Sequence, residues 1–115
     1  MIKNRVLIVL SASMLITTTL MAQDNRRKVD LPPMMQEHMK TNMRDHLLAI
    51  QQITDHLSKQ QYEEASDVAE NRLGMSSMGQ HGAPQMGKLM PPEMRALGQA
   101  MHRSASQFAR IAKDA

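Results

Sequence analysis

Hydrophobic residues recur at helical spacing from Pro33 to about Lys59, a stretch that contains no helix-breaking residue. At about 100° per residue, one set of positions falls within an arc of roughly 80°. This set consists of Met35, Met39, Met43, His46, Ile50, Ile53 and Leu57. Pro32 and Pro33 lie at the start of this stretch, where proline is favourable because the first helical turn needs no N–H donors. The pattern predicts a first helix over 33–59 whose apolar stripe faces a core.

Two later segments show the same periodicity. The first runs from Gln61 to Leu73, and Gly74 follows it as a typical C-terminal signal. Its predicted inner face consists of Tyr62, Ala65, Ser66, Ala69 and Leu73. The second begins at Pro91-Pro92 and runs to about Lys113. Its predicted stripe consists of Met90, Met94, Leu97, Met101, Ala105, Phe108 and Ala112.

These segments predict an all-α fold, a small antiparallel bundle of three main helices over about 33–59, 61–73 and 91–113. The first two helices are antiparallel neighbours because only a short turn joins them. A long Met/Gly-rich loop over 74–90 connects the last two, since residues 74–94 contain four glycines and three prolines and show no helical pattern. With the third helix parallel to the first, Met94 lies level with Met35 and Met39, while Met101 and His102 lie level with Met43 and His46.

The N-terminal pattern differs from the rest of the chain. Lys3 and Arg5 precede an apolar stretch that ends at Met21, and the small residue Ala22 precedes Gln23. This pattern predicts a cleaved signal peptide over 1–22 and a periplasmic location, with an uncleaved membrane anchor as the alternative. Residues 23–30 are polar and predict a disordered lead-in, so the helical bundle domain comprises residues 31–115.

Composition excludes several function classes. Loss of Lys3 and Arg5 with the signal peptide brings the remaining chain close to neutrality, and with one Tyr and one Phe it offers no platform for stacking bases. We therefore expect no nucleic-acid partner, and after processing no stable membrane anchor. No nucleophile motif, phosphate loop or H-E-x-x-H is present, so we expect no enzymatic activity. With no Cys, stability must come from helix packing, a bound ligand or self-association.

The remaining candidate chemistry is soft-metal binding. After residue 22 the chain contains ten Met, five His and no Cys. Thioethers and imidazoles select Cu(I) or Ag(I), and thioethers withstand oxidising compartments. We predict a shared site whose walls come from the outer helices and whose lid is the loop. Its candidate ligands are Met35, Met39, Met43, His46, Met75, Met78, His81, Met94, Met101 and His102.

Structural roles compete with ligation for the same residues. Methionine fills irregular cores well because it is unbranched and adaptable. His46 is equally compatible with a buried histidine hydrogen-bonded to Asn42 or to a backbone carbonyl, and His81 with a solvated loop histidine. His38 lies on the flank of the first helix, and His56 lies at its far end, where a surface position is expected.

Three sequence signatures carry a resemblance. They are LGMSSM-x-x-HGA over 73–83, Met-Pro-Pro-x-Met over 90–94 and MHRSASQFA over 101–109. On these the chain resembles a family of small, exported, Met/His-rich helical proteins of proteobacteria, of uncharacterised function. Members are loosely similar to cytochrome c-prime and cytochrome b562 type bundles, which hold haem near the last helix.

That resemblance implies a further alternative. Covalent haem is excluded because the chain has no Cys and hence no C-x-x-C-H. A non-covalent haem b would use Met35 or Met39 together with His102. The short second helix, the absence of a fourth helix and the shortage of large apolar residues disfavour it.

The sequence thus predicts a periplasmic protein that binds or buffers copper(I) or silver(I) through Met and His ligands. The first alternative is a Met-rich helical interaction module without metal, which self-associates or docks a periplasmic protein partner. The second is the haem-binding bundle.

Overall fold

The computed structural model describes residues 24–115, so the predicted signal peptide over 1–22 lies outside the described residues. Within them the fold is all-helical, as predicted. Its helices are α1 (Pro33–Ser58), α2 (Tyr62–Val68), α3 (Ala83–Leu89) and α4 (Pro92–Lys113). A π-helical turn, Ala69–Leu73, extends α2, and a 3-10 turn, Met75–Ser77, follows it. No helix of this part of the chain is long and apolar enough to cross a bilayer.

The three-helix prediction needs correction, because the segment predicted to be a loop over 74–90 contains a 3-10 turn and a fourth helix, α3. Gly82 precedes α3 with a left-handed backbone, at φ 64°. Its carbonyl accepts hydrogen bonds from the N–H groups of Gln85 (3.1 Å) and Met86 (2.9 Å). Pro84 suits this first turn. The glycines and prolines that indicated a loop therefore mark the boundary of a short helix.

α2 runs antiparallel to both long helices. Arg72, in the π turn that extends α2, pairs with Asp45 in the middle of α1, whereas the start of α2 follows α1 directly. Against α4, the Ser66 hydroxyl donates to the carbonyl of Ala109, and seven residues later the Leu73 carbonyl bonds to His102. Two helices that are each antiparallel to a third are parallel to one another, so α1 and α4 run in the same direction on either side of α2.

The core is built mainly from alanines. Ala49, Ala65 and Ala69 are almost fully buried and allow the helices to approach closely. The larger buried hydrophobic side chains are Leu31, Leu73 and Met86. The predicted stripes are only partly core. Ile50 is 54% exposed and Leu97 is 72% exposed.

The length of α2 explains why the stripes are not fully covered. α1 has 26 residues, but α2 and its π turn have seven and five. At about 1.5 Å per residue, α2 and the π turn together therefore cover about half of α1. Beyond it the apolar stripes of α1 and α4 face an open cavity instead of a close-packed partner.

Candidate metal centre

Three histidines from three separate segments of the chain converge near the end of the π turn. His46 lies in α1, His81 lies between the 3-10 turn and α3, and His102 lies in α4. The ring centroid of His46 is 4.6 Å from that of His81 and 5.8 Å from that of His102, and the last two are 5.4 Å apart. We call these three residues the histidine cluster. The sequence prediction included all three.

The end of the π turn provides a hydrogen-bond acceptor that positions His102. The helix ends at Gly74, whose backbone is extended, so the carbonyl of Leu73 is free to accept a 2.7 Å hydrogen bond from Nδ1 of His102. A Cβ on residue 74 would lie 2.7 Å from the backbone oxygen of Glu70. Glycine is therefore required at position 74, where the helix ends. The carbonyl of Leu73 that this ending leaves free in turn orients the His102 ring.

Hydrogen bonding assigns the protons on two of the rings. A carbonyl only accepts, so Nδ1 of His102 carries the hydrogen and Nε2 has a free lone pair. The Ser77 hydroxyl donates to the Gly74 carbonyl at 2.7 Å, so its oxygen accepts from Nδ1 of His81, at 3.4 Å. Both rings thus have Nε2 as the free nitrogen. An oxygen that holds the other ring nitrogen is the usual support of a metal-binding histidine.

His46 has a buried nitrogen without a partner. The residue is 8% exposed, and its Nε2 makes no hydrogen bond within residues 24–115. A buried polar atom without a partner costs roughly 1–3 kcal/mol. The alternative that Asn42 satisfies His46 is not realised in the described residues, because the Asn42 amide donates to the backbone oxygen of His81 instead.

The surroundings favour neutral rings. Burial lowers the pKa of His46, and the neighbouring His81 and His102 lower it further. Burial also lowers the pKa of His81, with a smaller contribution from His102. The neutral imidazole is the form that binds metal, so these two rings are in the ligating state at neutral pH.

The spacing of the cluster suits a shared ion. A metal about 2 Å from three imidazole nitrogens would hold the ring centroids about 5 Å from one another. The three observed distances, 4.6, 5.4 and 5.8 Å, bracket that value. Among residues 24–115, however, no group of three or more His, Asp, Glu or Cys side chains is already arranged to hold an ion. Rotation of the rings is therefore needed before their nitrogens point to one centre.

A methionine-rich cavity adjoins the cluster. Its volume is about 670 Å³, and it is lined by residues of α1, α3, α4 and the segment before α3. The predicted ligands among its lining are Met39, Met43, His46, Met78, His81, Met94, Met101 and His102. Met35 and Met75 are not part of the lining, and Met75 is exposed on the 3-10 turn.

Two further methionines line the cavity and were not predicted as ligands, Met86 and Met90. Met86 is buried on α3, a helix that the glycines and prolines concealed. A signal was present in the sequence, because Met86, Met90 and Met94 are spaced by four residues.

An ion pair beside the cluster ties α1 to the π turn. The Arg72 guanidinium binds the Asp45 carboxylate and the Gln52 side chain. Its hydrogen bonds hold the pKa of Asp45 below its ordinary value. The Asp45 carboxylate thus pairs with Arg72 and makes no hydrogen bond to the three histidine rings within residues 24–115. His56 lies apart from the cluster, at the far end of α1, and contacts Gln61 at 2.9 Å.

We expect the protein to lose stability on mild acidification because of the imidazole rings of His46 and His81. The folded pKa of His46 and of His81 lies below the ordinary value near 6.5, so below that pH the unfolded chain binds protons that the folded chain does not. The free energy of unfolding should therefore have its full value above about pH 6.5 and fall as the pH is lowered below that value. Urea unfolding of metal-free protein at pH 7.5 and pH 5 measures this.

The doubly substituted variant His46→Gln/His81→Gln is the control for this titration. It should show a smaller difference in unfolding free energy between the two pH values, because neither of its glutamines titrates. A wild-type protein that is as stable at pH 5 as at pH 7.5 would contradict the prediction.

The chain matches no protein-family model, no curated protein and no solved structure, so its function is inferred from the site itself.

Proposed function

We propose that this protein binds and buffers Cu(I) or Ag(I) in the periplasm, with His46, His81 and His102 as its central ligands. The observation that carries the proposal is the histidine cluster, in which the Nε2 of His46 is buried without a partner. An ion among the rings would satisfy that nitrogen. It would also use the two Nε2 atoms left free by the hydrogen bonds of His81 and His102.

The methionines favour a soft ion. Imidazole alone suits Zn²⁺ and copper alike, whereas thioethers bind Cu(I) and Ag(I) in preference to harder ions. Met43 and Met101 line the same cavity as the cluster, one from each long helix, and both are partly exposed. A fourth ligand is thus available from the chain itself.

The gradient in burial supports a buffering role. Met43, Met94 and Met101 are partly exposed thioethers from which an ion can leave, whereas the rings of His46 and His102 are buried. Exchange along such a gradient suits uptake and release. We propose no enzymatic activity, and the proposed family relationship rests on the three sequence signatures alone.

A competition titration tests the proposal. Purified protein is challenged under reducing conditions with a chromophoric Cu(I) chelator, and Zn²⁺ is titrated in parallel. We expect Cu(I) to be withdrawn from the chelator and Zn²⁺ to bind more weakly. If the protein takes up no Cu(I), the metal proposal fails. The interaction module would then become the preferred function, because Leu47, Ile50 and Leu97 expose large apolar side chains.

Haem is the third candidate, after the metal proposal and the interaction module, and the cavity is the observation that favours it. Its volume of about 670 Å³ lies within the usual range of small-molecule sites, and Met39 and His102 both line it. α3 also supplies a fourth helix in the segment that was predicted to be a loop. The adaptable methionine lining would accommodate a flat apolar ligand.

Reconstitution with hemin distinguishes the haem candidate from the metal proposal. If haem binds between these residues, a sharp Soret band should form, and it should be lost or shifted in Met39→Ala and in His102→Ala. Met34→Ala is the matched control, since Met34 is highly exposed at the start of α1 and does not line the cavity. The absence of a Soret band in the wild type would eliminate haem and leave the metal proposal intact.

A further inference from the structure

His81 is held to α1 through its backbone. Its carbonyl oxygen lies 3.0 Å from Nε2 of His38 and accepts a second hydrogen bond from the Asn42 amide at 3.1 Å. A carbonyl oxygen has two lone pairs, so the two contacts use its full capacity. Both bonds join residues about forty positions apart in sequence, and both come from one helix.

The acceptor fixes the role of His38. Because a carbonyl cannot donate, Nε2 of His38 must carry the hydrogen. His38 therefore serves the site by holding backbone, and its Nε2 is not available as a metal ligand.

Local structure alone would leave the His81 ring loosely placed. Gly79 and Gly82 flank it, and the only hydrogen bond of its ring within the described residues is the 3.4 Å contact with Ser77. Gly82 has a positive φ, and a Cβ there would lie 3.0 Å from Nε2 of His38. Glycine thus permits both the turn and the close approach of α1.

Helical geometry links this contact to the metal site. His38, Asn42 and His46 are spaced by four residues, so they lie along one stripe of α1. The same rigid helix that holds the backbone of His81 carries His46, whose ring is 4.6 Å from that of His81. The pitch of α1 therefore sets the distance between two of the three rings.

We propose that His38 and Asn42 form a clamp that positions His81 as a metal ligand. The inference rests on the proposed metal-binding function and adds two residues that act without touching the ion. Ordering a segment with two glycines costs conformational entropy, which would otherwise subtract from the affinity for metal. Because the clamp already orders this segment in the metal-free protein, that entropy is not subtracted from the affinity for metal.

The test compares Cu(I) affinity, by chelator competition, in the wild type and in His38→Ala/Asn42→Ala. We expect the affinity to fall by about 10- to 100-fold, the usual effect of removing groups that orient metal ligands. His38→Gln, which keeps a donor, should recover part of the loss in the His38→Ala variant. His56→Ala, on the same helix but remote from His81, should leave the affinity unchanged.

A double-mutant cycle separates positioning from a general loss of structure. In a His81→Ala background the clamp substitutions should cause little further loss of affinity, since the ligand they position is gone. An equal loss in both backgrounds would overturn the proposal.

Amide hydrogen exchange of residues 79–82 in metal-free protein provides a readout independent of metal. Exchange should be at least about tenfold faster in the clamp variant than in the wild type, because the segment opens locally. If exchange is unchanged, the clamp does not exist. If it accelerates but wild-type protein binds no Cu(I), the clamp is real and the metal proposal is wrong.

Discussion

Replacing any one residue of the histidine cluster with alanine should lower Cu(I) affinity by at least about 100-fold, more than the loss expected when a group that merely orients a ligand is removed. Each substitution deletes one of three imidazole rings whose centroids are spaced as a shared ion would require. The measurement is competition with a chromophoric Cu(I) chelator at pH 7.5, where the pKa values of His46 and His81 keep both rings neutral. At pH 5 the wild-type affinity should also fall, since protons compete with the metal for the rings.

The matched control is His56→Ala. His56 is the same residue type on the same helix as His46, but it lies in the last turn of α1, where it contacts Gln61. Its loss should leave Cu(I) affinity within about twofold of wild type if the cluster is the site. An equal loss in His56→Ala and His46→Ala would mean that metal binds nonspecifically to histidines.

We expect His46→Ala to have a second effect, on the stability of the protein with and without Cu(I). Because Nε2 of His46 is buried without a partner, its removal should not destabilise metal-free protein as strongly as loss of a satisfied buried group. The stability that the wild type gains on adding Cu(I) should be lost in the variant. Thermal unfolding with and without Cu(I) measures both quantities.

Leu73→Ala should destabilise the fold by about 2–5 kcal/mol, the usual range for a buried leucine. Leu73 is 6% exposed, and among residues 24–115 only Leu31 and Met86 are other buried hydrophobic side chains larger than alanine. A core that depends on so few large side chains has little capacity to fill the resulting space. Urea unfolding followed by far-UV circular dichroism measures the loss.

Leu47→Ala is the control for that substitution. Leu47 is 69% exposed on α1, so the same chemical change there should alter the free energy of unfolding by less than about 0.5 kcal/mol. Equal destabilisation by both substitutions would show that the face of α1 bearing Leu47 is buried in solution, and would support the interaction module.

Sequence periodicity predicted the long helices well. Pro33 and Pro92 open α1 and α4 as expected, and the apolar spacing gave their ends to within a few residues. Local signals decide such elements, because proline fixes its own φ and a stripe at 3.6-residue spacing identifies one helical face. With the last helix parallel to the first, the same periodicity predicted that His46 and His102 lie at one level of the bundle.

Sequence reasoning failed where local signals conflict. The glycines of the segment over 74–90 indicated a loop, yet Gly82 begins α3, which carries Met86 into the cavity. The buried face of α4 contains His102, Ser106, Ala109 and Ala112, whereas the more hydrophobic residues beside it, such as Met101 and Leu97, face the cavity. Hydrophobicity alone cannot show which part of an apolar face meets a partner helix and which part lines open space.

The sequence by itself determined that the chain is helical and that its soft donors are thioethers and imidazoles. With the last helix parallel to the first, it also predicted that two of the histidines lie at matching heights. These properties follow from local periodicity and side-chain chemistry. Only the tertiary structure decided that His81 joins them, since its position depends on hydrogen bonds from His38 and Asn42, about forty residues away. It also decided that the apolar stripes enclose a cavity, because the short α2 leaves half of α1 uncovered.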